Sequence, residues 1–319
     1  MADETLTSDD RQVTPMRGIG FKVASVAVFV AMVSLIKVVS GDVPPGEIVF
    51  FRSAFAVPVI LIWLIATRRL RRGLITHNYL GHFWRALLGT AAMGFAFSGL
   101  GLLPLPEVTA IGYAAPLLTV MFAAMFLGES VRLFRILSVA LGMAGVLIIL
   151  SPRLSAFSEG ALGATEALGA MMVFAGAVFA ALAQVFVRRL VDEETTSAIV
   201  FFFSINAAFL SLVTLPFGWV WPEPQTMALL IAAGVLGGIG QELLTSSYRY
   251  ADASVVAPFE YSSILLALAV GYFAFDEVPS FVVLGGATLV VAAGILIIGR
   301  ESQLGLERAR QRRSMTPQG

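Results

Sequence analysis

Residues 107–132 read EVTAIGYAAPLLTVMFAAMFLGESVR. This apolar run opens on an acid, carries a proline near its middle and closes on Gly128-Glu129. Residues 252–279, DASVVAPFEYSSILLALAVGYFAFDEVP, follow the same plan: an acid, then Ala257-Pro258, then Asp276-Glu277 at the close. Each is succeeded by a further apolar run, ILSVALGMAGVLII at 136–149 and GGATLVVAAGILII at 285–298. AGVLII at 144–149 matches AGILII at 293–298 with an offset of 149, and Glu129 matches Glu277 with an offset of 148. A near-constant offset across two apolar runs and their connector marks an internal repeat, which governs any reading of the fold.

Composition sets the class. Of 319 residues, 58% are hydrophobic and 13% charged, against about 45–50% apolar and about 25% charged in soluble domains. The apolar runs are long and unbroken, unlike the short alternating segments of a membrane barrel. An all-α integral membrane protein is expected. Formal net charge is zero and so uninformative about partners, and the chain has no cysteine, which excludes disulfides and thiolate metal sites.

A membrane span takes about 20 apolar residues. The expected spans are 19–40, 45–66, 83–103, 107–127, 133–151, 166–187, 196–217, 226–248, 253–275 and 281–299. The expected organisation is a disordered tail at 1–17, a first five-helix repeat at 18–151, a linker at 152–165, a second repeat at 166–299 and a basic tail at 300–319. The first apolar run is expected to be retained, because no small-residue cleavage site follows it. With both termini in the cytoplasm, eighteen loop and tail cations, Lys22 and Arg85 counted among them, fall on the inner side and only Arg153 on the outer. That bias follows the positive-inside rule. Trp219 and Trp221 fall in an outer loop, where interfacial anchors belong. Because five spans per repeat is an odd number, the halves cross the membrane in opposite senses. Such inverted repeats place a substrate site near the midplane, at their interface.

The two five-helix halves, with Gly-Glu-Ser after the fourth span and Asp-Glu-Val-Pro after the ninth, resemble the drug/metabolite transporter superfamily and its ten-helix EamA-type branch. The resemblance covers residues 19–299; Asp276 stands where the second repeat usually has glycine. It implies a secondary transporter of the bacterial inner membrane, monomer or homodimer. It also implies a cavity walled by spans 1, 3, 4, 6, 8 and 9, with no nucleotide site and no cofactor. No G-x-x-x-x-G-K-[ST] stretch occurs, in keeping with transport driven by gradients rather than by ATP. No metal, nucleic-acid partner or enzyme activity is expected. Among the substrates that the resemblance brings, riboflavin uptake is the first expectation. Export of amino acids or related metabolites is the alternative, with Arg52 or Lys37 meeting a carboxylate and Glu260 an amine.

Ionisable groups inside a membrane are costly and point to function. Lys37, near the outer end of span 1, either snorkels outward or serves the substrate. Arg52 lies about 10 Å below the outer face at 1.5 Å per residue. It either pairs with Glu47 or Glu107 or contacts the substrate; those two acids could also simply complement helix N-termini. Glu242 and Glu260 share a depth about 10 Å from the inner side. They are read either as a proton-coupling pair in one cavity wall or as structural acids bonded to Tyr or Ser neighbours. Gln184, Asn206, Gln241, Thr245, Tyr248 and Tyr261 are candidate substrate donors and acceptors. Gln241, Thr245 and Tyr248 share one helical face, which could line a cavity or join helices. Tyr113 precedes Pro116, and Pro116 and Pro258 are candidate gating kinks. His77 and His82 are expected in a solvated inner loop, and Phe201–Phe203 mostly facing lipid.

Overall fold

The computed structural model describes residues 15–68, 70–127, 133–155, 161–191, 193–251 and 256–314. Its helices are α1 (Pro15–Val39), α2 (Pro45–Ala54), α3 (Ala56–Ala66), the single turn α4 (Leu70–Gly73), α5 (Tyr79–Leu100), α6 (Leu105–Gly112) and α7 (Ala114–Leu127). They continue with α8 (Leu133–Ser155), α9 (Ala161–Val191), α10 (Thr196–Ser211) and α11 (Pro224–Tyr250), then α12 (Ser262–Phe275) and α13 (Phe281–Ser314). Among the described residues, the 3-10 segment Leu212–Phe217 extends α10 and the 3-10 segment Ala257–Tyr261 precedes α12. Strands are absent among the described residues. Eight helical stretches there are long and apolar enough to cross a membrane, and a shorter apolar one spans Phe259–Phe275. The protein is an all-helical, multi-pass membrane protein. The closing Gly128-Glu129 of the first motif lies outside the described residues, as does Asp252.

Proline decides where the long apolar segments break. A proline gives no N–H to the carbonyl four residues back, and its ring collides with that carbonyl. Helix α2 ends at Ala54, four residues before Pro58, and α6 ends at Gly112, four before Pro116. Phe55 and Tyr113 occupy the two breaks with ψ of −10° and −4°. Pro258 lies in the 3-10 segment that stands where a third such break falls. Side-chain oxygens start other helices: Asn78 accepts the Gly81 N–H at 2.8 Å before α5, and Thr195 the Ala198 N–H at 3.3 Å before α10, as N-caps do.

The helices alternate between two ends of a bundle. One end carries the start of α1; at the far end the close of α1 meets the loop between α12 and α13. The most extensive packing joins α1 to α11, α5 to α9 and α8 to α13, with α2 against α10 and α6 against α12. Two apolar clusters result. One, around Val146, Ile149, Val290 and Ala177, joins α6–α9 to α12 and α13. The other, around Ile36, Ile48, Leu100 and Leu230, joins α1, α2, α5 and α11. Ile62, Phe126, Phe209, Phe273 and Phe281 face outward and give the bundle an apolar surface suited to lipid. Helix α13 runs without interruption past residue 299 to Ser314, so its last turns are part of the basic tail.

Helices α8 and α13 touch backbone to backbone. A Cβ on Gly145 would fall 2.7 Å from the Gly286 carbonyl oxygen, and a Cβ on Gly286 would fall 2.7 Å from that of Gly145. Close approach through small residues substitutes for the hydrophobic driving force that lipid removes. Gly145→Ala and Gly286→Ala should each lower the melting temperature in detergent, with a cost of about 1–3 kcal/mol from overpacking. Gly285→Ala, whose Cβ meets nothing within 4 Å, should leave it unchanged or raise it slightly.

Candidate functional site

Lys22 is the eighth residue of α1 and is 2% exposed. This corrects its assignment to the loop cations, since it stands inside the bundle. Its Nζ lies 3.2 Å from Oε2 of Glu260. Glu260 belongs to the 3-10 segment before α12, and its side chain is 59% exposed. Together they flank a cavity of about 380 Å³ whose walls come from α1, α2, α5, α6, α11 and α12. Arg52 of α2, 5% exposed, also lines it. The remaining polar wall is Ser25, Thr109 and Ser263; Phe29 and Phe97 supply aromatic rings.

The break at Tyr113 and the 3-10 segment Ala257–Tyr261 meet beside this cavity. The Tyr113 hydroxyl bonds the Ser263 hydroxyl and donates to the Glu260 carbonyl oxygen at 3.3 Å. The Tyr113 and Tyr261 rings lie 5.1 Å apart. Tyr261 in turn lays its hydroxyl against Gly294 of α13, where only a glycine leaves room for it.

Other candidates lie elsewhere. Gln184 is exposed on α9, and Asn206 donates to the Phe202 carbonyl of its own helix at 2.8 Å. Gln241 and Thr245 are half-buried on α11 but do not line the cavity, to which that helix contributes Leu244. The side chains of Tyr248 and Pro258 lie outside the described residues. Glu242 is not among the described residues that line the cavity at Glu260. It is buried against a separate groove formed by Val59 and Trp63 of α3 with Ile239 and Leu243. Two residues on a helix are about 200° apart around its axis, so Leu244 in the cavity turns Glu242 away from it.

Charged ties join the helix ends at the far end. Lys37 does not snorkel: its Nζ donates to the Leu103 carbonyl at 2.7 Å and pairs with Glu277 at 2.8 Å, while the other Glu277 oxygen accepts the Leu105 N–H at 2.8 Å. Glu107 is not a partner of Arg52. Arg153 grips it with two bonds of 2.9 and 2.6 Å and also pairs with Glu166. Glu47 accepts the Val220 N–H at 3.0 Å. At the end that holds the start of α1, Glu194 joins the α9–α10 loop to the residues before α5. Its Oε1 accepts from the Thr76 hydroxyl at 2.7 Å and from the His77 and Asn78 N–H groups at 2.7 and 3.1 Å. His82 is not solvated: it is 1% exposed, 4.0 Å from Glu194 and 4.9 Å from the Phe202 ring. Sequence reading passed over Lys22, Glu194, Ser263 and Glu277 as parts of these contacts. For Lys22 the signal was its position within the first apolar run.

The profile of the EamA-like transporter family matches residues 16–151 and again residues 167–299. The chain is 30% identical over 273 residues to the pseudopaline exporter CntI of Pseudomonas aeruginosa strain UCBPP-PA14, covering 84% of this chain and 91% of that protein. It is 28% identical to an S-adenosylmethionine uptake transporter of Rickettsia bellii, over 81% of this chain and 84% of that one. A solved crystal structure shares the fold with a TM-score of 0.63 at 21% identity, covering 90% of this chain and 98% of its own.

The Glu194 tie has a pH signature. Burial pushes its carboxyl up, but the Thr76 hydroxyl and the two backbone N–H groups outweigh burial and hold it below the ordinary carboxylate range. A depressed folded-state value contributes stability above the unfolded value, about 4.3, and loses it as pH falls through the folded one. The melting temperature should therefore fall more steeply with acidification below about pH 4.3 in the natural chain than in Glu194→Gln, which lacks the titrating group.

Proposed function

The chain belongs to the EamA-like transporter family, and we propose that it is a ten-helix secondary transporter that carries a small carboxylate-bearing metabolite through the cavity at Arg52. The observation that carries this reading is the cavity itself, about 380 Å³, enclosed by helices of both profile-matched segments and walled by Lys22, Arg52 and Glu260. That volume lies near the lower end of the roughly 300–1,000 Å³ typical of small-molecule sites. It suits a molecule of amino-acid scale. Arg52 offers a guanidinium to a carboxylate, and Glu260 at the mouth offers a carboxylate to an ammonium group. The named relatives carry pseudopaline or S-adenosylmethionine in their descriptions; the charged walls favour the amino-acid-type alternative over riboflavin.

The helix pairing supports two halves of opposite topology. If α1 corresponds to α9 and α5 to α11, exchanging the halves turns the α1–α11 pair into the α9–α5 pair. It returns the α2–α10, α6–α12 and α8–α13 pairs to themselves. Alternating access follows when the halves exchange conformations. The loop-charge bias supports termini in the cytoplasm of a bacterial inner membrane. On that orientation the charged ties around Lys37 and Arg153 shut the outer face, and Glu260 stands toward the cytoplasm. Protons are the proposed coupling ion, with Glu260 as the carrier. Lys22 holds it until substrate or proton takes its place.

The test is flux into proteoliposomes of labelled amino acids and related carboxylates, with riboflavin alongside. Saturable carboxylate flux is expected. Arg52→Gln should raise the half-saturating concentration roughly tenfold, the scale of one charge-assisted hydrogen bond. Saturable riboflavin flux without carboxylate flux would overturn the assignment. The absence of native cysteine permits a second test. A cysteine placed at Thr109 in the cavity wall should react slowly with an impermeant thiol reagent added at the far face. Glu277→Ala, which removes the tie to both Lys37 and Leu105, should speed that reaction several-fold. Equal rates in the two backgrounds would show that this tie does not close the face.

A further inference from the structure

Arg52, buried, and Arg85, half-buried with its Nε and one terminal nitrogen shielded from solvent, lie around one aromatic ring, and together they make an unmatched site. Arg52 of α2 reaches the Phe203 ring of α10 with its guanidinium carbon 5.8 Å from the centroid, and Arg85 of α5 stacks on that ring at 3.5 Å. Phe203 is 5% exposed. The ring is pressed close by Gly89, one turn beyond Arg85. A Cβ there would stand 2.7 Å from the ring edge and 3.3 Å from an Arg85 terminal nitrogen.

The donors around this ring are not used up. Arg52 Nε, Arg85 Nε and one Arg85 terminal nitrogen are buried and carry no hydrogen bond among the described residues. No carboxylate among those residues pairs with either guanidinium. The face of Phe203 relieves part of each charge but accepts none of the in-plane N–H groups. Guanidinium stays protonated in proteins, and buried charge without a counter-charge is strongly unfavourable. Two such groups against one ring leave an excess of positive charge and a set of donors, which is what an anion needs. Arg52 also lines the central cavity, so an anion has a path to it.

We propose that Arg52 and Arg85, set around Phe203, form a buried site for one small monovalent anion. The occupant is either a halide from the medium or the carboxylate of the transported metabolite. In its carboxylate form the site rests on the transport reading above; in its halide form it stands without it. Arg85 thereby gains a role that its place near the start of α5 did not suggest.

The experiment is a thermal-melt titration of the purified full chain in detergent with a bulky sulfonate buffer as the only starting anion. Chloride is added in one arm and acetate or glycine in another. A saturable rise in melting temperature is expected, as mass action requires of a ligand that binds the folded state. Arg85→Gln should weaken half-saturation roughly tenfold or abolish the rise. It should also raise the melting temperature in the sulfonate buffer alone, because it removes an uncompensated charge whose Nε and one terminal nitrogen are buried. Arg85→Lys keeps the charge without the planar fork and should fall between. A rise with chloride alone assigns the site to an inorganic ion, and a rise with carboxylates alone assigns it to the substrate. No saturable rise, or an equal rise in Arg85→Gln, overturns the proposal. Loss of metabolite flux with an intact chloride titration would fault the transport reading and leave the anion site standing.

Discussion

Charge buried among apolar helices governs this structure. An isolated ion taken out of water costs several kcal/mol even after relaxation, so each buried charged side chain needs a partner or a reason. At the far end Glu277, Glu107 and Glu47 have each found one. Glu277 holds Lys37 and a backbone N–H, Glu107 holds Arg153, and Glu47 holds the Val220 N–H. These contacts run between segments distant in sequence and fix how the helix ends meet. In the middle of the bundle the matching stops: Lys22 has Glu260, whereas Arg52 and Arg85 share only an aromatic face. The contrast separates charges that hold the fold from charges that await a ligand.

Packing supplies the complementary constraint. Lipid offers no penalty for an exposed leucine, so the helices are held by close fit rather than by exclusion from water. The Gly145–Gly286 contact shows how near two backbones come, and the placement of Tyr261 against Gly294 shows what such closeness permits. A ring seated on a glycine fixes the 3-10 segment that also carries Glu260. Steric fit in one place thus sets the position of a charge in another.

Much of this was legible in the sequence, and the limits have physical causes. Long apolar runs, loop charges and the offset of 148–149 residues gave the helical membrane class and the doubled organisation without any structure. Depth along a helix was also readable, because the rise per residue is fixed. Azimuth was not: Glu242 and Glu260 share a depth, but Glu242 faces α3 while Glu260 faces α1. Rotation about the axis is set by neighbours that no single span reveals. Partner choice failed in the same way. For Arg52 the nearest acids in its own half were one of two alternatives, the other being the substrate. In space Glu107 lies with Arg153, and Glu47 spends its lone pairs on a loop of the other half. Lys22 and Arg85 were counted as loop cations because a charge near the end of an apolar run looks the same whether it points to water or to a cavity.

The meeting of Tyr113 with Tyr261 and Ser263 carries a mechanical consequence. Each tyrosine stands at the interruption of its own helix, one in each half of the chain, and the interruptions are in direct contact. Were the two interruptions to bend, their contact would couple the movements, each displacing the other. Two doors hung on a shared pivot cannot both swing wide. A carrier built this way would need no separate interlock against leakage, because the same pair of rings that lets one side yield would hold the other shut.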